Sequence, residues 1–137
     1  FITAQGRDHK LKNPTKYLVD WDGKCRSKIQ KRVKDLLHPY WFSDIVFEEI
    51  PVAGTRMTLD IYNANKKIAI EVDGNQHYKF NKFFHSNSRQ KFLQQLQRDD
   101  KKEFFCEINN ITLVRILEDD TLNEDLLKTL KIIDETH

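Results

Sequence analysis

Glycine and proline are scarce in this 137-residue chain, at four and three residues, and so are cysteine, at two, and methionine, at one. Few helix and strand breakers mean few long irregular stretches, so mostly regular structure is expected. Cys25 and Cys106 make no disulfide framework, and no CxxC pair offers a structural-zinc spacing; they read as two reduced thiols in a cytosolic protein. No apolar run approaches the ~20 residues of a membrane span, and no signal-peptide pattern is present. Excess charge of one sign is missing too. The 23 Lys+Arg and 21 Asp+Glu leave a net +2, which excludes both a strongly basic nucleic-acid coat protein and an acidic tail protein. Opening on Phe1 rather than Met suggests a processed chain or a piece of a longer one. What is present is enough for one domain with a sizeable core and too little for two. Aromatics at 11% supply apolar mass that disordered chains lack.

The near-neutral total conceals an uneven spread. Residues 1–35 carry ten bases and four acids, whereas residues 118–137 carry seven acids and two lysines. A basic front end is a candidate footprint for nucleic acid, but charge alone favours a solvated helix face, and the footprint reading needs chemistry to support it. Residues 1–24 read as an irregular basic arm with a turn at Asn13-Pro14 and an anchor around Tyr17 and Trp21. From Cys25 to His38 the apolar spacing of Ile29, Val33, Leu36 and Leu37 predicts a helix, with Ser27 near its start and Pro39 after its end. Three strand-like runs follow, at 44–50, 56–63 and 67–73. A helix is expected over 88–107 with an apolar stripe of Phe92, Leu93, Leu96 and Phe104, then a strand at 111–117 and a last helix over 121–135. The order α-β-β-β-α-β-α is that of a single α/β domain with a central mixed sheet flanked by helices.

The second and third runs are joined by Asn63-Ala64-Asn65-Lys66. A hairpin turning between Asn65 and Lys66 pairs residues whose numbers sum to 131. Leu59 then opposes Val72 and Ile61 opposes Ile70 on an apolar face. Asp60 opposes Glu71 on the other, with Asp73 beside them. Directly opposed like charges destabilise paired strands. A divalent cation removes the conflict, and carboxylate oxygens suit Mg²⁺. Gly74 permits a sharp turn that returns Gln76 and His77 over the acidic face, where a histidine can serve as general acid or base.

Leu59-Asp60-Ile61-Tyr62 and Ile70-Glu71-Val72-Asp73-Gly74-Asn75-Gln76-His77, followed by Arg98-Asp99, Lys102, Phe105-Cys106 and Ile111–Ile116, resemble the PD-(D/E)XK nuclease superfamily. The likeness covers about residues 25–117. It is closest to small phage and bacterial endonucleases related to very-short-patch repair enzymes and to some homing endonucleases. It implies a restriction-endonuclease-like core over 25–117, with the arm (1–24) and the C-terminal helix (118–137) outside it. It further implies Mg²⁺, replaceable by Mn²⁺, held by Asp60, Glu71 and the Val72 carbonyl. Asp73 stands where the superfamily usually has lysine. His77 is then the candidate base, Gln76 lines the site, and Lys79, Lys101 and Lys102 are candidates to replace the missing cation. Gln30 takes the place of a glutamate on the first helix. On the 88–107 helix, family position favours Asp99 as an accessory acid and helical spacing favours Asp100.

The expected function is hydrolysis of DNA by a metal-dependent endonuclease in the cytoplasm of a bacterial or phage-infected cell, away from membranes, with a homodimer admitted. Arg26, Lys28, Lys31, Arg32 and Lys79 would grip phosphates without reading sequence. The alternative is a catalytically inactive nuclease fold that binds nucleic acid or a partner.

Overall fold

Ser27 sets the start of the first helix, its hydroxyl accepting a hydrogen bond from the Gln30 N–H at 3.2 Å. Such a cap satisfies a donor that the helix start leaves open and is worth about 1 kcal/mol. Helix α1 then runs Lys28–Trp41, displaced toward the C-terminus from the expected 25–38. Pro39 sits inside the last turn instead of ending it. Its missing N–H deprives only the carbonyl of Asp35, an exposed residue, while the extra turn buries Trp41 completely.

The computed structural model of the chain describes residues 1–3, 5–73, 97, 100–117 and 120–133. Strands β1 (Val46–Pro51), β2 (Thr58–Asn63), β3 (Ile68–Asp73) and β4 (Thr112–Leu117) form one sheet in the order β1-β2-β3-β4. The first two pairings are antiparallel and β3–β4 is parallel, so the sheet is mixed. Helix α2 covers residues 100–108 and α3 covers Glu124–Thr129. Among the described residues the protein is therefore α/β with the expected element order. No helix among them is long and apolar enough to cross a membrane.

The turn between β2 and β3 fixes the register. The Asn63 carboxamide oxygen accepts from the Lys66 N–H at 2.9 Å, its amide donates to Asp44 Oδ2 at 2.9 Å, and Lys67 takes φ 53°. Ile61 consequently opposes Ile70, and Tyr62 opposes Ala69, as the sum of 131 requires. Side chains alternate between two layers. Val46, Ile61 and Ile70 pack with Val33, Leu37 and Trp41 of α1 and with Leu127, Ile132 and Ile133. Tyr62 and Ala69 pack on the opposite face with Phe105 and Cys106 of α2.

Leu59 departs from the expected faces, since it joins Tyr62 rather than Ile61. Its ladder partner Ile50 does the same. The change of face coincides with Glu49, which sits at φ 51° in mid-strand next to Ile50. A non-glycine residue there costs about 1–3 kcal/mol.

Two further expectations are corrected. Phe104 is 45% exposed, while Phe105 and Cys106 are buried, so the inner face of α2 is displaced by one residue from the expected stripe and Asp100 points to solvent. Phe92, Leu93 and Leu96 lie outside the described residues. The last helix is short because Lys131 adopts φ 59°, and a non-helical turn buries both Ile132 and Ile133. The arm lies along the sheet edge as an anchor should. Leu18 bridges to Phe47, and Trp21 stacks on His38 with ring centroids 4.8 Å apart.

Candidate functional site

The β2–β3 ladder ends at Ile61–Ile70, and beyond it two carboxylates take over the cross-strand bonding. The Val72 N–H donates to Asp60 Oδ2 at 2.8 Å, and the Asp60 N–H donates to Glu71 Oε1 at 3.3 Å. Asp60 is 7% exposed and Glu71 3%, so a solvated acidic face does not describe them. Burial of two acids in contact is costly unless each is hydrogen-bonded and the charge is countered.

Part of that countercharge comes from α2. Lys102 Nζ lies 3.1 Å from Glu71 Oε2, with the two side chains only 14% and 4% exposed. One turn further along the same helix, burial pushes the Cys106 thiol up to about 12, and the Glu71 charge adds to the shift. Cys106 is therefore a neutral thiol in the wall of the site. Arg115 stands in register with Glu71 across the β3–β4 ladder, and its guanidinium meets Glu103, the neighbour of Lys102, at 3.3 Å. Sequence reasoning did not single out Arg115. Its signal was a lone cation in an otherwise apolar strand between two layers, where a charge needs an anion.

The registers line these groups up. Glu48 opposes Ile61 and Ile50 opposes Leu59, which sets Glu49 against Asp60. Glu71 and Arg115 are ladder partners, Asp60 reaches Glu71 through its N–H, and Glu49 falls between the Glu48–Ile61 and Ile50–Leu59 pairs. Sequence reasoning also passed over Glu49; its strained φ leaves no trace in composition or periodicity.

The other sequence-named residues are scattered. Arg26, Lys28, Lys31 and Arg32 come together on one groove beside the start of α1. Within it Lys31 is tied to Asp35 at 2.9 Å and Arg26 approaches Glu49 at 3.6 Å, whereas Lys28 and Arg32 are exposed. Gln30 is buried, but in a pocket whose walls include Glu49 and Arg26 and neither Asp60 nor Glu71. Asp73 contributes its backbone to β3 opposite Leu117, and its side chain lies outside the described residues. Gln76, His77, Lys79 and Asp99 lie outside them altogether. Lys34, counted with the basic front, is wholly buried and paired with Glu48 at 3.1 Å, so it adds nothing to the surface potential.

Among the described residues no three of His, Cys, Asp and Glu gather as a metal-holding group. The donor set present is two adjacent carboxylates, Asp60 accepting from the Val72 N–H and Glu71 from the Asp60 N–H and Lys102. That set fits a hard ion such as Mg²⁺, which takes one or two carboxylates and fills its octahedron with water; it does not fit a zinc centre.

No family model matches the sequence, and no solved structure does. The chain is similar to Uncharacterized protein 033L of Invertebrate iridescent virus 3, 33% identical over 66 residues, which is 48% of this chain and 34% of that protein. It is likewise similar to Uncharacterized protein 307L of Invertebrate iridescent virus 6, 38% identical over 60 residues, or 44% of this chain and 30% of that protein. Uncharacterized protein 094L of Frog virus 3 is 36% identical over 66 residues, 48% of this chain and 43% of its own length. The chain thus spans less than half the length of these relatives.

Proposed function

We propose that the chain is a metal-dependent endonuclease of the PD-(D/E)XK type that hydrolyses DNA phosphodiester bonds. The observation that carries this reading is the buried Asp60–Glu71 pair, bridged through backbone N–H groups and capped by Lys102. A mixed sheet with three antiparallel strands and a parallel fourth is compatible with the restriction-endonuclease-like plan. The viral relatives suggest a virus-infected cell as the setting.

Asp60 and Glu71, with the Val72 carbonyl, would hold the ion. A bound Mg²⁺ supplies an activated water and a counter-charge for the phosphate. The rest falls to the chain. The Val72 and Asp60 N–H groups hold the two carboxylates in place before substrate arrives. Lys102 supplies from α2 the cation that the sequence lacks at Asp73, positioned by its bond to Glu71. Lys28 and Arg32 attract the phosphate backbone. His77 remains the proposed proton acceptor, with Gln76 beside it.

The test is cleavage of linear, branched, mismatched and single-stranded DNA with Mg²⁺ and with EDTA. Cleavage that needs Mg²⁺ and is lost in Asp60→Asn supports the reading; equal cleavage in EDTA overturns it. The absence of a three-ligand group among the described residues favours a second reading, a nuclease-like module that only binds. It expects salt-sensitive DNA binding and no cleavage with either Mg²⁺ or Mn²⁺.

A further inference from the structure

Each carboxylate oxygen of the buried Glu71 meets a donor, and the two donors differ in kind. Oε1 accepts the Asp60 N–H at 3.3 Å, and Oε2 lies 3.1 Å from Lys102 Nζ. The Asp60 N–H is part of the β2 backbone and cannot withdraw without parting the strands. Lys102 reaches the carboxylate from α2 on a flexible stem, so side-chain rotation alone withdraws the ammonium. Its side chain keeps 14% exposure against 4% for Glu71, which leaves it a way toward solvent. The helix that carries it is anchored by other residues. Glu103 pairs with Arg115 of β4 at 3.3 Å, and Phe105 and Cys106 are buried against the sheet. Lys102 can therefore leave Glu71 while α2 stays in place. Where it stands, Lys102 does what a bound cation would do, putting positive charge on a buried carboxylate next to a second one, Asp60. An ammonium and a divalent ion at one carboxylate repel each other, the more so where water is scarce.

We propose that Lys102 is an internal competitor for the metal: its ammonium holds Glu71 until a divalent ion binds, and then gives the carboxylate up. The inference rests on the metal reading of the Asp60–Glu71 pair and adds a control on its occupancy. Lys102 supplies countercharge that keeps the two acids compatible with burial, and by the same contact it lowers their affinity for an ion. An ammonium released from Glu71 is free to meet a phosphate, so metal and phosphate reinforce each other's binding. A lysine that only supported Glu71 would act with the opposite sign, since its removal would disorder the carboxylate and weaken metal binding.

The experiment is calorimetric titration of the chain with Mn²⁺ in the absence of nucleic acid. Lys102→Met and Lys102→Gln are expected to bind Mn²⁺ roughly tenfold more tightly than the wild type, because no ammonium has to be displaced. Lys102→Arg keeps the charge and stays close to the wild type. Lys66→Met removes one positive charge from an exposed residue at the β2–β3 turn and also stays close to it. Thermal scans give a second readout: Lys102→Met melts below the wild type in EDTA, and Mn²⁺ raises its melting temperature by more. If both neutral variants are unfolded in EDTA, folding on addition of Mn²⁺ supports the exchange and failure to fold overturns it. Equal or weaker Mn²⁺ binding by the neutral variants overturns the proposal and leaves the metal reading standing. Absence of Mn²⁺ binding in all of these proteins overturns the metal reading itself, and the competition with it.

Discussion

Asp60 and Glu71 hold one another across two diverging strands: the Asp60 N–H bonds the Glu71 carboxylate at 3.3 Å, while the Asp60 carboxylate bonds the next residue of β3, Val72, at 2.8 Å. Under the proposed metal-dependent function, two acids fixed in this way would repel each other until a divalent ion binds between them. Mn²⁺ or Mg²⁺ at 100 times its dissociation constant should therefore stabilise the fold by about 2.7 kcal/mol, a rise of several degrees in the melting temperature. Asp60→Asn should remove one repelling charge and with it the metal response. Calorimetric scans of both proteins, with metal and with EDTA, check this, and a wild type indifferent to metal counts against the site.

Lys102 answers Glu71 at 3.1 Å in a nearly dry setting. Losing one member of such a pair costs about 3–5 kcal/mol, because the other charge stays buried without its partner. Lys102→Met should lower stability by that order, and Lys102→Met with Glu71→Gln should recover part of the loss. Cleavage by Lys102→Met should fall by roughly 10²–10³, the usual cost of losing an electrostatic contact to the reacting groups. Denaturant melts of the double-mutant cycle measure the first effect and single-turnover assays the second.

The hairpin was legible because its rule is arithmetic. Asn63 and Asn65 announce the turn, and a strand period of two leaves one register that buries Ile61 and Ile70 together. That same register set Asp60 against Glu71. Helix phase was less legible. Phe104 and Phe105 are both large and apolar, and only the three-dimensional packing chooses the second. Lys34 shows a limit of charge counting, since a lysine in a basic run looks like its neighbours until its ammonium is found against Glu48. The positive φ of Glu49 had no local signal. It lies in a residue type that normally avoids positive φ, and tertiary constraint overrides that preference.

The basic groove should behave as a phosphate grip and nothing more. Lys28 and Arg32 are exposed, whereas Lys31 is engaged by Asp35 and by the Trp21 carbonyl. Lys28→Ala and Arg32→Ala should each weaken duplex DNA binding to a similar degree for all sequences and reduce the slope of log K against log salt by about 0.9. Lys31→Ala should do less. Fluorescence-anisotropy titrations at several salt concentrations give the slopes. A variant that changes sequence preference instead would assign the groove a reading role.

Cys106 makes the fold sensitive to alkali. Burial first, then the charge of Glu71, raises its thiol from 9.0 to about 12. Above pH 9 the unfolded chain ionises this thiol and the folded chain does not, so the folded state binds more protons and loses stability as pH rises. The contribution is complete below pH 9 and disappears as pH climbs toward 12, with a slope of at most about 1.4 kcal/mol per pH unit from this one group. Tyr62 is raised by burial as well and adds to the decline at the upper end of the window. Cys106→Ala should start from lower stability at pH 8, because the substitution leaves a small cavity beside Phe105. Its melting temperature should then fall less steeply than that of the wild type between pH 9 and pH 10.5. Parallel slopes for the two proteins would mean that the thiol is already ionised in the folded state, and that Lys102 and Arg115, which oppose the shift, outweigh burial and Glu71.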